Sequence, residues 1–463
     1  MRHIRSTAFA ALAAAALTLT ACSSADSGSS GASTGSGDAS SAAGGSSVTI
    51  NYWLWDANQL PQYQSCADAF TAENPSIKIE ITQSGWNDYW NNLTTGMVAG
   101  TAPDVFTDHL NYFADLLDKG QIVDLQPYVD RDGVDMGQYY QGLATLWSDQ
   151  NGDAYGLPKD WDTIAVAYNT QMLADAGYTP EDLESWTWNP DDGGTYEQII
   201  AHLTVDQNGV RGDEPGFDKT KVAVYGIALD GNGAGFSQAE FSQYFFTTGW
   251  YFTDKNPWGT QYNFSDERYK ATIAWARHMI EAGYMNDLET ATSMDGNPLE
   301  SFGAGKFATV PIGSWMIGSY EALDGVTVAY APNPIGPSGK RASMFNGLTD
   351  AITTSSKHPE EAWQWVKFLG SAECQEIVAE AGVVFPAISS VSDETKAARV
   401  AAGQELDAFF VQVDEGTTFS PPITEHYADI LALHQPIMDA ILSGQSSVDA
   451  LDAFNDQVNA MFK

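Results

Sequence analysis

The sequence predicts an α/β protein built as two lobes. Two observations lead there. At the start of the folded part, segments with the period of a half-buried strand alternate with segments of helical period, the order expected of a sheet covered by helices. After a Ser/Gly/Ala-rich stretch ends at Ser47, residues 48–463 remain, more than one hydrophobic core organises.

Val48 to Trp53 alternates apolar and polar residues and reads as a strand. Pro61 to Phe70 reads as a helix with Cys66, Ala67 and Phe70 on one face. Ile77, Ile79 and Ile81 alternate with polar residues as a second strand, and Tyr89 to Val98 is helical. Gly100 to Asp104 is a turn that feeds a short buried strand at Val105-Phe106, and Phe113 to Lys119 is a helix closed by Gly120. Further on, Ile164 to Tyr168 and Val222 to Leu229 read as strands, Thr170 to Ala176 as a helix, and Tyr269 to Ala282 as a helix ended by Gly283. Pro359, with Glu360 and Glu361 behind it, starts a helix running towards Ala381 with Ala362, Trp363, Val366 and Leu369 as its buried stripe. Ser446 and Asp449 have capping-box spacing and open a closing helix carrying Val448, Leu451, Val458 and Phe462. Gly231 to Gly235 is Gly-rich but lacks the Lys of a phosphate loop, and is expected to be an ordinary loop.

The N-terminus has the pattern of a targeting segment. Arg2, His3 and Arg5 precede an Ala/Leu run from Ala8 to Leu19, too short to span a bilayer. Leu19-Thr20-Ala21-Cys22 resembles the bacterial lipobox. Residues 1–21 are expected to be a lipoprotein signal peptide, Cys22 the point of lipid attachment, and 22–47 a flexible tether. That places the protein on the extracellular face of a cell membrane, held by the lipid anchor alone. The formal charge of -39, from 60 acids and 21 bases, argues against nucleic acid as a partner. Beyond Cys22, Cys66 and Cys374 remain, either paired as a disulfide outside the cell or present as two buried thiols.

Aromatic residues sit repeatedly beside carboxylates and amides, as in Trp55-Asp56, Trp86-Asn-Asp-Tyr-Trp90, Asp160-Trp161-Asp162 and Gly313-Ser-Trp315. That pairing suits a sugar, whose C–H face stacks on a ring and whose hydroxyls want acceptors and donors. An oxygen-rich run, Asp206 to Gly209 with Asp213 and Asp218 beyond, lacks the Glu that completes a calcium loop and reads as a turn; no metal and no cofactor are expected.

Taken in order, Trp53, Ala102-Pro-Asp-Val105, Ala154-Tyr-Gly-Leu-Pro158, Ala167-Tyr-Asn169, Glu184-Ser-Trp-Thr-Trp188, Gly303-Ala-Gly-Lys306 running into Gly313-Ser-Trp315, and Ser356-Lys-His-Pro359 with Ala362-Trp363 resemble the family 1 extracellular solute-binding proteins of ABC importers, the group that includes maltose-binding protein. The resemblance covers essentially residues 48–463. It implies a non-enzymatic, monomeric binding protein of the type II periplasmic-binding-protein fold, closing around an oligosaccharide in an interlobe cleft and presenting it to ABC permease subunits. By the same resemblance the first lobe takes 48–159 plus 345–390 and the second 160–344 plus 391–463.

Candidate ligand contacts follow from the loops that face the cleft in relatives. They are Trp55, Asp56, Asn58 and Gln59 after the first strand; Trp86; Asp108, His109, Asn111 and Tyr112 after the third; Trp161 and Asp162 where the chain first crosses between lobes; Trp315 after Gly313; Asn346 and Gly347 on a later crossing; and Glu425, His426 and Tyr427. These loops hold acids, amides and aromatics, with Lys159 the exception, which favours a neutral sugar. Other readings are a binding protein for another solute, such as a phosphorylated polyol, whose phosphate wants Arg or Lys, and a secreted glycosidase, which needs a carboxylate pair across a sugar cleft.

Overall fold

The strand Val48–Leu54 carries Ile50 and Tyr52 fully buried and sits inside a four-stranded sheet. The structure is a computed structural model and describes residues 47–229, 238–294 and 297–463. Cys22, the signal segment 1–21, nearly all of the tether and the loop at Gly231 to Gly235 lie outside the described residues.

The sheet order is Leu348–Ile352, Val105–His109, Val48–Leu54, Ile77–Gln83. The last three strands run parallel, and Leu348–Ile352 is antiparallel to Val105–His109 at the edge. The helix Leu60–Glu73 buries Tyr63, Cys66, Ala67 and Phe70, the face read from the sequence. Cys66 and Cys374 form a disulfide with Cα atoms 5.3 Å apart, so the free-thiol alternative is set aside. The bond ties Leu60–Glu73 to Ala372–Glu380, far apart in sequence. Cys66→Ser with Cys374→Ser is expected to cost roughly 2–5 kcal/mol, read by denaturant unfolding; an unchanged midpoint would contradict a stabilising role.

The helix expected to run from Pro359 towards Ala381 is instead two, Pro359–Leu369 and Ala372–Glu380. The break falls at Gly370, where a Cβ would lie 2.9 Å from the Leu157 Cβ. The Gly370 carbonyl accepts the Tyr139 hydroxyl at 2.9 Å, and Ser371 turns extended. The capping box at Ser446 does not form. The Ser446 N–H donates to the Ala440 carbonyl and so finishes the preceding helix, and the last helix is Ala450–Asn459. Leu451, Phe454 and Val458 form its buried face.

The second lobe holds a five-stranded sheet in the order Val205–Asp206, Val222–Ile227, Phe307–Gly313, Ile164–Asn169, Val328–Ala331. Only Val222–Ile227 and Phe307–Gly313 pair in parallel. Trp186, Trp188, Tyr196, Tyr244 and Trp275 crowd its core. Asp206 uses its carboxylate to accept the N–H groups of Asn208, Val210 and Asp218 and so pins a turn.

The chain passes between the sheets at closely paired crossings. Pro158 bridges Thr349, Asp162 bridges Asn346, and Asp160–Trp161 pairs with Phe385–Pro386. The helix Ser389–Ala401 packs on Ala372–Glu380 and on the Phe385–Pro386 pair, whereas Asp407–Asp414 contacts Ile164–Asn169 of the second sheet. No helix among the described residues is long and apolar enough to cross a membrane.

Candidate functional site

A cleft of about 1210 Å³ opens between the two sheets. Three of its walls come from segments that follow strand ends, because there the backbone leaves the ladder and its side chains are free to face a ligand.

The first wall is aromatic. Trp55 follows Val48–Leu54 and stands 5.0 Å from Trp86, 5.2 Å from Tyr89 and 5.7 Å from Trp90, ring centre to ring centre. Tyr112 stacks on Trp90 at 3.7 Å with the rings 15° apart. Trp86 is 39% exposed, so this cluster offers one open indole to the cleft. In the loop after Trp55, the Asp56 carboxylate accepts the Asn58 N–H and the Gln59 side-chain amide, both at 2.8 Å. Burial pushes the Asp56 carboxyl above its ordinary range. Asn58 and Gln59 thus line the cleft and also fix the loop.

His109 lines the cleft with Nδ1 accepting the Asn111 N–H at 3.2 Å, and its Nε2 lies 2.9 Å from the Asn346 side-chain amide. Burial lowers its pKa to about 3, so the ring is neutral. Asn111 reaches across the cleft and donates to the Tyr427 hydroxyl at 2.8 Å.

The opposite wall is built by the end of Phe307–Gly313 and by one face of Tyr427–Leu442. Trp315 is partly exposed and folds back over Gly313. A Cβ on Gly313 would lie 1.9 Å from the indole, so only glycine leaves room for this pose.

The floor is the hinge. Asp160, Trp161, Asp162, Asn346 and Leu348 line it. Trp161 is 1% exposed. It packs with Phe385 at 4.8 Å, Phe410 at 5.0 Å, Tyr140 at 5.4 Å and Phe345 at 5.6 Å, and donates its indole N–H to Ser392. The expected stacking surface is therefore spent on hinge packing. Lys159 is 3% exposed. Its ammonium donates to Asp350 at 2.9 Å, Thr107 at 2.9 Å and Tyr52 at 3.1 Å, beneath the cleft and outside its lining.

Four candidates stand off the wall. Asp108 is fully buried, accepts the His109 N–H at 2.8 Å, and is held protonated-prone by burial. Gly347 sits at the tightest crossing, where a Cβ would meet the Asp160 carbonyl at 2.6 Å. Glu425 lies before the turn into Tyr427–Leu442, and His426 donates its N–H to Asp115 at 2.7 Å. These four lie outside the cleft lining, and their neighbours take the cleft positions. Asp160, Gln238, Asn297, Met316 and Gln435 line the cleft without having been singled out. Asp160 had a signal, the second carboxylate beside Trp161; the others lie in stretches with no distinguishing pattern.

A profile of the bacterial extracellular solute-binding proteins matches residues 65–406. The chain belongs to that family. A maltodextrin-binding protein of Bacillus subtilis is 24% identical over 401 residues, 86% of each chain. A lactose-binding protein of Rhizobium radiobacter is 30% identical over 159 residues, 32% of this chain and 35% of that one, so this match spans about a third of the relative. Among solved structures, an ABC substrate-binding protein of Listeria monocytogenes in complex with cycloalternan gives a TM-score of 0.75 at 18% identity, covering 90% of this chain and 99% of that one. The GacH receptor of Streptomyces glaucescens gives 0.71 at 20%, covering 90% and 98%. At these identities the structural likeness establishes the two-lobed fold, and family membership establishes an extracellular solute-binding protein.

Proposed function

We propose that this protein captures an oligosaccharide outside the cell and hands it to the permease of an ABC importer, without chemically altering it. The observation that carries the reading is the cleft lining. Trp86, from beside the first sheet, and Trp315, after a strand of the second, both line it, and its polar groups are carboxylates, amides, hydroxyls and one neutral imidazole. No Lys or Arg lines the cleft among the described residues, and the one nearby ammonium, Lys159, is held by Asp350. A phosphorylated polyol would find no cation there. The sugar relatives named above agree with this chemistry. The lobes, divided near residues 159, 345 and 390, would close about the paired crossings as one monomer, and the closed form would be what the permease reads.

The test is calorimetric titration of residues 47–463 with a panel of oligosaccharides. A member binding at micromolar or tighter Kd, about -8 kcal/mol, supports the reading. Failure of the whole panel, or recovery of labelled sugar in cleaved form, overturns it. Gly313→Ala is expected to push the indole of Trp315 off the wall and to weaken the best sugar about tenfold, with a stability loss of ~1–3 kcal/mol at most; affinity equal to the parent's would show that the pose is not used.

The anchor belongs to the same proposal. With a lipid on Cys22 and a tether behind it, the body stays within reach of the membrane. Cys22→Ala is expected to release folded protein into the medium. Unchanged membrane retention on fractionation contradicts the lipoprotein reading.

A further inference from the structure

The hinge floor holds buried acceptor oxygens that no protein donor reaches. Asp160 is 2% exposed. One carboxylate oxygen accepts the Leu348 N–H at 2.8 Å, and the other, Oδ2, has no donor. Asn346, 2% exposed, likewise leaves its side-chain oxygen without a partner at the same floor. Asp162 is two residues on in an extended segment, so its carboxylate shares a face with that of Asp160. It is held by the Gln238 amide. Buried polar atoms in native proteins nearly always have partners, and a desolvated carboxylate without one is costly.

The surroundings sharpen this. Lys159 is the residue next to Asp160, but its ammonium is committed to Asp350, Thr107 and Tyr52. Burial raises the Asp160 pKa to about 7, against the pull of Lys159, and burial followed by the Asp160 charge raises that of Asp162. A sugar hydroxyl could donate to Asp160 Oδ2 but brings no positive charge to hold either buried carboxyl in its ionised form. A protonated amine brings N–H donors and a compensating positive charge together.

We infer that the ring at the floor of the cleft carries a protonated amine, so that the ligand is an amino-sugar-containing saccharide whose ammonium sits between Asp160, Asp162 and Asn346. This rests on the saccharide reading of the cleft and specifies its chemical class. The rest of the ligand remains uncharged, in keeping with the aromatic walls.

The experiment is titration of residues 47–463 at neutral pH with matched pairs: 2-, 3- and 6-amino hexoses against their hydroxy counterparts, and trimers of glucosamine against trimers of glucose. The amino member of at least one pair is expected to bind tenfold or more tightly. Asp160→Asn keeps an acceptor for the Leu348 N–H while removing the charge, and is expected to bring the ratio near one; Asp162→Asn serves the same purpose if that variant does not fold. Binding of hydroxy sugars with no preference for any amine leaves the saccharide reading standing and overturns the inference. A preference that survives both substitutions also overturns it. Stabilisation by calcium or sodium alone, abolished by Asp160→Asn, would put an inorganic cation at the floor and overturn it as well. Failure of every sugar in both series overturns the saccharide reading and the inference together.

Discussion

Trp315→Ala is expected to weaken saccharide binding about ten- to thirtyfold while leaving the melting temperature nearly unchanged. The indole is partly exposed on the cleft wall and rests on Gly313. A tryptophan buries roughly 150–250 Å². If a ligand covers the part left open, about a third of it, ~25 cal/mol per Å² gives about 1–2 kcal/mol, between one and one and a half decades in Kd. Truncation in the ligand-free protein opens no sealed cavity, so the fold loses little. Thermal melting and titration on the one variant separate the alternatives. A large fall in melting temperature with parental affinity in the folded fraction would mean that the ring belongs to the core.

Asp350→Ala is expected to do the reverse, costing ~3–5 kcal/mol of stability while the surviving folded protein still binds. Asp350 and Lys159 are an ion pair at 2.9 Å with side chains 1% and 2% exposed. Asp350 also accepts the hydroxyls of Tyr52 at 2.8 Å and Thr107 at 3.0 Å. Removing one partner leaves the other charge buried and uncompensated, which is the costly case. The double change Lys159→Met with Asp350→Ala is expected to recover much of the loss, because an apolar side chain of similar length asks for no partner. Denaturant unfolding of the three proteins measures it. A single variant within 1 kcal/mol of the parent would show the pair to be dispensable.

Val48–Leu54 and Ile77–Gln83 of the first sheet are legible because they alternate. Ile77, Ile79 and Ile81 point one way and charged residues the other, and the period shows. Phe307–Gly313 and Leu348–Ile352 are buried along their whole length, and a strand with no polar face has no period to read. The helix break at Gly370 was hidden for a different reason. It is imposed by the approach of Leu157 and the Tyr139 hydroxyl, both remote in sequence.

The site divides along the same line. Trp55, Asp56, Trp86 and Trp315 follow strands or glycine turns, and their mix of aromatic and polar neighbours marks them. Trp161 carries the same local signature, yet four aromatic rings from distant segments enclose it. The composition of a tripeptide shows that a ring sits beside carboxylates; it does not show what else has been brought to that ring. Gln238 and Gln435 reach the cleft through the placement of whole elements, which no local pattern encodes.

The edge pairing of Leu348–Ile352 on Val105–His109 has a consequence for export. Thr107 and Asp350, bonded in the finished sheet, are 243 residues apart in the chain. A polypeptide threaded outward from its N-terminus delivers Val48–Leu54, Ile77–Gln83 and Val105–His109 first, with one side of the third strand unpaired. All five strands of the other sheet have then emerged by Ala331, before residue 348 arrives. Throughout that interval the open strand is an acceptor for any passing backbone, and Cys66 waits for Cys374 without its intended partner. Of the two sheets, the one whose strands leave the cell first is thus the last to receive its final strand.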